Sequence, residues 1–232
     1  MSRIREIIAF TAMLAAGCAT SQSLHPDRLR TVLAQEESRF LGAPLSAPAI
    51  DAGKLSPPKA LGLYLKPTGF LHHEFDWTDR DRDRVLEWSR SFPLGPGSRS
   101  AGFVHLSSIK GDTLTELRTS AARHGVDLLL VFDGAAAVDR YNNYKAPLLY
   151  WTILGAYLAD GTESDALCLL KASIWDIKTG TLLAVEESEA RVTTVGPAAF
   201  VDDDKSLLAA RQQALSGLLE KLKNRLAHPT AS

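Results

Sequence analysis

The sequence predicts a single α/β domain built on one mixed β-sheet, in the order β-α-β-α-β-(α)-β-β-α, preceded by an N-terminal signal peptide and a stalk. Three observations lead there. Short apolar runs alternate with polar segments that carry helix-capping residues, the pattern of strands joined by helices. Val126 to Phe132 is almost wholly aliphatic, as in a central strand covered on both faces. Ala166–Asp176 and Thr181–Thr193 flank Ile177-Lys-Thr-Gly180, a turn with its glycine where a hairpin bulge needs one.

The elements follow in order. Leu61 to Lys66 is a short apolar strand stopped by Pro67. Thr78 and Asp81 have capping-box spacing, with Asp in place of the usual Glu, and open a charged helix through Ser91 that Pro93 to Gly97 breaks. Phe103 to Ile109 reads as a second strand, and Thr113 to His124 as a helix closed by Gly125. A polar loop is expected after Phe132, and then Pro147 opens an apolar segment to Leu158. The closing helix runs from about Lys205 to Leu226. It carries Leu208, Leu215, Leu219, Leu222 and Leu226 on one stripe, and Asp202–Asp204 complement the dipole at its start.

Composition narrows the function classes. The 232 residues are 45% hydrophobic and 23% charged, enough for an ordinary core and too apolar for a disordered chain. With 26 basic and 27 acidic side chains, the net charge of -1 nominates neither nucleic acid nor an anionic membrane surface as partner. Two cysteines exclude a disulfide-stapled scaffold and a four-cysteine zinc site. No run of 18 apolar residues is present to span a bilayer as a helix.

The N-terminus bears on location. Arg3 and Arg5 precede the apolar stretch Ile7 to Ala16, the layout of a signal peptide over residues 1–17. Leu14-Ala-Ala-Gly-Cys18 resembles the bacterial lipobox, with Ala15 in the position where that pattern prefers leucine. The resemblance implies a diacylglyceryl thioether on Cys18 and acyl chains such as palmitate. Two or three chains make a lasting tether, because each buried methylene contributes about 0.8 kcal/mol. Ala19, rather than aspartate, follows the cysteine, which by analogy with lipoprotein sorting implies the outer membrane and a periplasm-facing domain. Residues 18–59 read as a Pro/Ala/Ser-rich stalk carrying Pro26, Pro44, Pro48, Pro57 and Pro58. Within it Pro26 to Phe40 suits a short helix, with Leu29, Val32, Leu33 and Phe40 on one face; whether it packs on the domain is open. Residues 60–232 form the domain.

Few constellations suggest chemistry. Asp79-Arg-Asp81-Arg-Asp83 imitates a calcium loop, but Arg84 and Arg90 stand where glycine and the bidentate glutamate belong, so it reads as the solvated face of a helix. His72-His73-Glu74-Phe-Asp76 is the densest group of potential ligands, yet adjacent histidines on an extended segment point to opposite sides. His25, His105, His124 and His228 are scattered. No nucleophile elbow, phosphate loop or dinucleotide fingerprint is present. Cys168, within Ala166-Leu-Cys-Leu-Leu170, reads as a buried small hydrophobe. No metal, cofactor or catalytic residue is expected. Two stretches look like contact surface: Tyr141-Asn142-Asn143-Tyr144, and the segment carrying Tyr150, Trp151 and Tyr157, which is either core or a partner patch.

Val126-Asp-Leu-Leu-Leu-Val-Phe-Asp133, Tyr150-Trp-Thr-Ile-Leu-Gly-Ala-Tyr157, Gly161 with Asp165, Ile174-Trp-Asp-Ile177 and Leu182-Leu183 resemble the rhombotarget lipoproteins, bacterial envelope proteins, over roughly Leu61 to Val195. That family's glycine motif, membrane helix and basic tail find no match at Ala227-His-Pro-Thr-Ala-Ser232, so rhomboid processing is not implied. Asp176-Ile-Lys-Thr-Gly180 and the last helix are also similar, at the level of fold, to curli-secretion and penicillin-binding-protein-activator lipoproteins. The reading that results is a lipid-anchored, non-catalytic binding or scaffold module with an envelope protein as partner and no small-molecule substrate. Its alternatives are a tethered hydrolase, around His72, His73 and Asp76 or around Asp133 and Asp139, and a subunit of a curli-type secretion assembly.

Overall fold

The aliphatic run at Val126 builds the centre of the sheet. The computed structural model describes residues 24–41, 60–67, 75–91, 104–105, 113–143, 146 and 157–227. Among these, five strands form one mixed sheet: β1 (Leu61–Leu65), β2 (Val104–His105), β3 (Leu128–Asn142), β4 (Thr162–Asp176) and β5 (Leu182–Gly196). Their order is β2-β1-β3-β4-β5, with β1 parallel to β2 and β3, and β3, β4 and β5 successively antiparallel. Four helices accompany them: α1 (Pro26–Leu41), α2 (Asp79–Arg90), α3 (Leu114–Arg123) and α4 (Asp203–Ala227).

Period-two alternation divides the sheet's side chains between two helical layers. On one face Leu128, Leu130 and Phe132 of β3 and Cys168, Leu170 and Ile174 of β4 share a core with Val85 of α2 and Ala210, Ala214, Leu215, Leu218 and Leu222 of α4. On the other, Leu129, Val131, Trp175 and Leu182 meet Leu117 and Ala121 of α3 and Phe40 of α1. Further along the same face, Leu24, Leu29 and Leu33 cover Ala135, Leu167 and Leu169. The α/β architecture with one mixed sheet is therefore as the sequence predicts.

Local signals are realised where they are strongest. The Thr78–Asp81 capping box forms in both directions, and Thr113 caps α3. The β4–β5 hairpin turns at Gly180, whose φ of +74° lies in the left-handed region that glycine occupies without a Cβ penalty.

Several expectations are corrected. No polar loop follows Phe132: β3 runs on to Asn142, paired residue by residue with β4 as far as Thr162. Tyr141 and Asn142 are accordingly strand residues. The stripe of α4 holds at Leu215, Leu219, Leu222 and Leu226, but Leu208 is exposed, and Leu207, Ala210, Ala214 and Leu218 widen the buried face. Asp81 is buried rather than solvated, although its neighbours Asp79 and Asp83 are exposed as expected. The helix placed within the stalk extends to Leu41 and lies on the sheet, with Val32 only half-buried at its flank. The signal peptide, Cys18, the stretch 42–59, His72 to Glu74, most of Phe103–Ile109 and Tyr144, Tyr150 and Trp151 lie outside the described residues.

Candidate functional site

Two groups of polar residues lie along β3 and β4 on the face of the sheet that α1 and α3 cover. The first lies under α1. Lys66, just past the end of β1, places Nζ 2.6 Å from Asp133 and 3.4 Å from Glu36, and sits 5.8 Å from the Phe40 ring centroid. Beside it Lys171 of β4 reaches Glu37 at 2.6 Å. Glu36 and Glu37 follow Leu33 on the inner side of α1, so the helix brings two acids onto two strand lysines. Burial pushes the Asp133 carboxyl above its ordinary value, against the pull of Lys66 and with Glu36 adding to the rise. The space left between Glu37, Phe40, Lys66, Asp133, Lys171 and Ser173 holds about one water molecule. This cluster fastens a helix; it has no room for a substrate.

The second group lies at the far end of the sheet. Asp165 of β4 is buried and accepts from Arg191 and Thr193 of β5. The Tyr141 hydroxyl of β3 donates to Glu163 at 2.9 Å and lies 3.3 Å from Asp165. Burial alone would push the Asp165 carboxyl up, but Thr193, Arg191 and Tyr141 together hold it below its ordinary value. The Tyr141 phenol is pushed up to about 12 by burial, reinforced by Glu163 and Asp165. Asn143 extends the network to Glu163 at 3.2 Å and to the Asp160 carbonyl at 3.1 Å. The adjoining turn carries Phe200, whose ring meets that of Tyr157 edge to face at 6.1 Å. This end of the sheet is a polar network in which Glu163 and Asp165 each accept from at least two side-chain donors, next to exposed aromatics.

The sequence-predicted residues separate accordingly. Tyr141, Asn142, Asn143 and Tyr157 belong to the far end: Tyr141 is half-buried and bonded, while Asn142 and Tyr157 are exposed. Asp133 and Asp139 share a face of β3 but stand six residues apart, about 20 Å along an extended strand, and so do not converge on one substrate. Asp76 is exposed, and its carbonyl accepts from Arg211. Cys168 is buried, with its thiol pushed up to about 12 by burial. Among the described residues no group of three or more His, Cys, Asp or Glu side chains is placed to hold a metal ion, and no helix is long and apolar enough to cross a membrane. A shallow groove along α3, lined by Thr115, Arg118, Thr119, Ala122, Arg123 and Ile177, contains no acid or nucleophilic thiol.

Sequence reasoning did not single out Lys66, Glu36, Glu37, Lys171, Glu163, Arg191 or Arg211. A signal for one of these positions was present, since Lys171 stands between Leu167-Cys-Leu-Leu170 and Ala172-Ser-Ile-Trp175 as a lone charge in an apolar strand.

No family model matches this chain, and no curated protein matches it, so the likeness to rhombotarget lipoproteins rests on the residues that carry it. Solved structures align with this chain only distantly. A neuraminyllactose-binding hemagglutinin homolog from Helicobacter pylori aligns at 12% identity over 75% of this chain and 89% of its own, with a TM-score of 0.39. A dodecameric PelC variant from Paraburkholderia phytofirmans aligns at 12% identity over 78% and 95%, with a TM-score of 0.33. A DUF330 protein from Xanthomonas campestris aligns at 16% identity over 71% and 81%, with a TM-score of 0.30. At TM-scores below 0.5 these likenesses carry no functional argument.

Proposed function

We propose that this protein is a lipid-anchored, non-catalytic envelope lipoprotein whose α/β domain faces the periplasm and binds another envelope component. One observation carries the reading: Cys18 directly follows Leu14-Ala-Ala-Gly17, itself preceded by two arginines and an apolar stretch. Acylation of Cys18 tethers the chain, and Ala19 directs it to the outer membrane. The non-catalytic part is supported by the polar groups of the sheet, which bond one another instead of facing a cavity, and by the contact chemistry around Tyr141.

Growth with an alkyne-bearing fatty acid tests the anchor. The wild-type protein takes up label and Cys18→Ala does not; equal labelling of both, or of neither, sinks the lipid reading. Crosslinking in intact envelopes tests the binding role. A discrete heavier species containing one repeated partner supports it, and monomer alone at every crosslinker length counts against it.

A further inference from the structure

We propose that the end of the sheet bearing Tyr157, Leu158, Val195 and Phe200 is the surface on which the domain rests against the bilayer that holds Cys18, an inference that depends on the anchor reading above. Among the described residues these are four of the five exposed large hydrophobics, at 51%, 78%, 51% and 68% exposure, and Leu208 at 37% is the fifth. They are neighbours. Tyr157 packs on Phe200, and Val195 is one residue short of the end of β5, just before the Pro197–Phe200 turn. A contiguous exposed apolar tip marks a docking surface for lipid or protein.

The tether decides between them. α1 runs antiparallel to β3. Its Phe40 end shares a cluster with Val131 and Trp175, and Glu37 bonds Lys171. Leu24 and Leu29 share a cluster with Ala135 and Leu167. The N-terminus of α1 therefore points toward the tip. Leu24 is only six residue steps from Cys18, a span of at most about 20 Å when fully extended. From Leu167, in the cluster with Leu24, to the start of β4 at Thr162 is five residues, about 17 Å of strand. A tether of that length lets a lipidated Cys18 reach the level of the tip and little beyond it, which favours that end as the one facing the bilayer. The opposite end, at the Lys178 turn, is nine or more residues from Leu167 in the other direction, about 30 Å away and out of the tether's reach. Tyrosine and phenylalanine suit the headgroup–acyl boundary. Asp160 and Asp204, exposed beside the tip, favour a zwitterionic over an anionic surface.

The test uses the full-length lipidated protein carrying Phe200→Cys, Leu158→Cys or Lys178→Cys, each labelled with an environment-sensitive fluorophore. Cys168 is buried and stays unlabelled in the folded protein. Reconstitution is into phosphatidylcholine vesicles with and without nitroxide-bearing lipid. The expected result is blue-shifted emission and several-fold stronger quenching at positions 200 and 158 than at 178. Protein that floats with the vesicles yet shows equal, weak quenching at all three positions overturns the proposal while leaving the anchor intact. Protein that neither carries lipid by mass nor floats overturns the anchor reading, and this inference with it. Leu158→Cys guards against loss of the Tyr157–Phe200 contact, since Leu158 is the most exposed of the four.

Discussion

Arg211 of α4 places Nη1 3.3 Å from Oδ2 of Asp81 in the first turn of α2, with both side chains buried. The same carboxylate oxygen accepts the Thr78 backbone N–H at 3.0 Å and the Thr78 hydroxyl at 2.7 Å. Arg211 also donates to the Asp76 carbonyl at 3.0 Å and lies 5.5 Å from the Phe75 ring centroid. One acid therefore caps a short helix and anchors it to the longest one. Removing one partner of a buried pair strands the other charge, so Arg211→Met is expected to cost about 3–5 kcal/mol in chemical denaturation. Adding Asp81→Ala to it should cost less than the sum of the two single changes, because the pair is lost only once.

A second prediction concerns α1. Leu33 is buried against Ala135, Leu167 and Leu169, and the ion pairs of Glu36 and Glu37 flank it. Leu33→Ala should lower global stability by about 2–5 kcal/mol, as for other truncated core leucines. Amide exchange would show α1 opening together with the sheet. Loss of protection in α1 alone, with the sheet unchanged, would mean that the helix is a loosely attached appendage.

Asp133 and Asp165, two of the three buried aspartates among the described residues, act in opposite directions with pH. Thr193 and Arg191 hold Asp165 below its ordinary value, so the folded state releases its proton more readily than the unfolded chain. Its contribution is present above the unfolded value of 3.8 and disappears as pH falls through the folded one. Asp133 is raised by burial, so its contribution is present below 3.8 and is lost as pH rises toward its folded value. Asp165→Asn should therefore flatten the acid side of the stability profile, and Asp133→Asn should remove a decline just above pH 3.8. Urea melts across acid to neutral pH measure both slopes.

Cys168 provides a direct probe of the core. Burial pushes its thiol up to about 12, and the Arg211 guanidinium nearby offsets that only in part. A thiol reagent at mildly alkaline pH should leave the native protein unmodified and react once denaturant unfolds it. Rapid modification of folded protein would contradict the packing of β4 against α4.

Local chemistry was the legible part of the fold. The Thr78–Asp81 box, the caps at Thr113 and Gly125, and the turn at Gly180 each depend on residues within a few positions of one another, and all form. The second half of β3 was not legible. Asp133, Gly134, three alanines and Asp139 have low strand propensity, and it is the long ladder with β4 that holds them extended. The docking of α1 was likewise hidden: its apolar face was readable, but the sheet partners of Leu29 and Leu33 lie more than 90 residues downstream. The same distance problem hid the polar clusters. Lys66 and Asp133 are 67 residues apart, and Arg191 and Asp165 meet only because β4 and β5 pair. By residue type Tyr141 reads as contact surface and Tyr157 as either core or a partner patch; the structure brings both to one end of the sheet, with Tyr157 exposed.

The central claim is acylation at Cys18, and mass spectrometry of the N-terminal peptide from membrane-extracted protein tests it most directly. The account predicts a mature chain beginning at Cys18 with a diacylglyceryl thioether and an additional acyl group. A chain that begins elsewhere, or a Cys18 peptide with a free thiol, would contradict it.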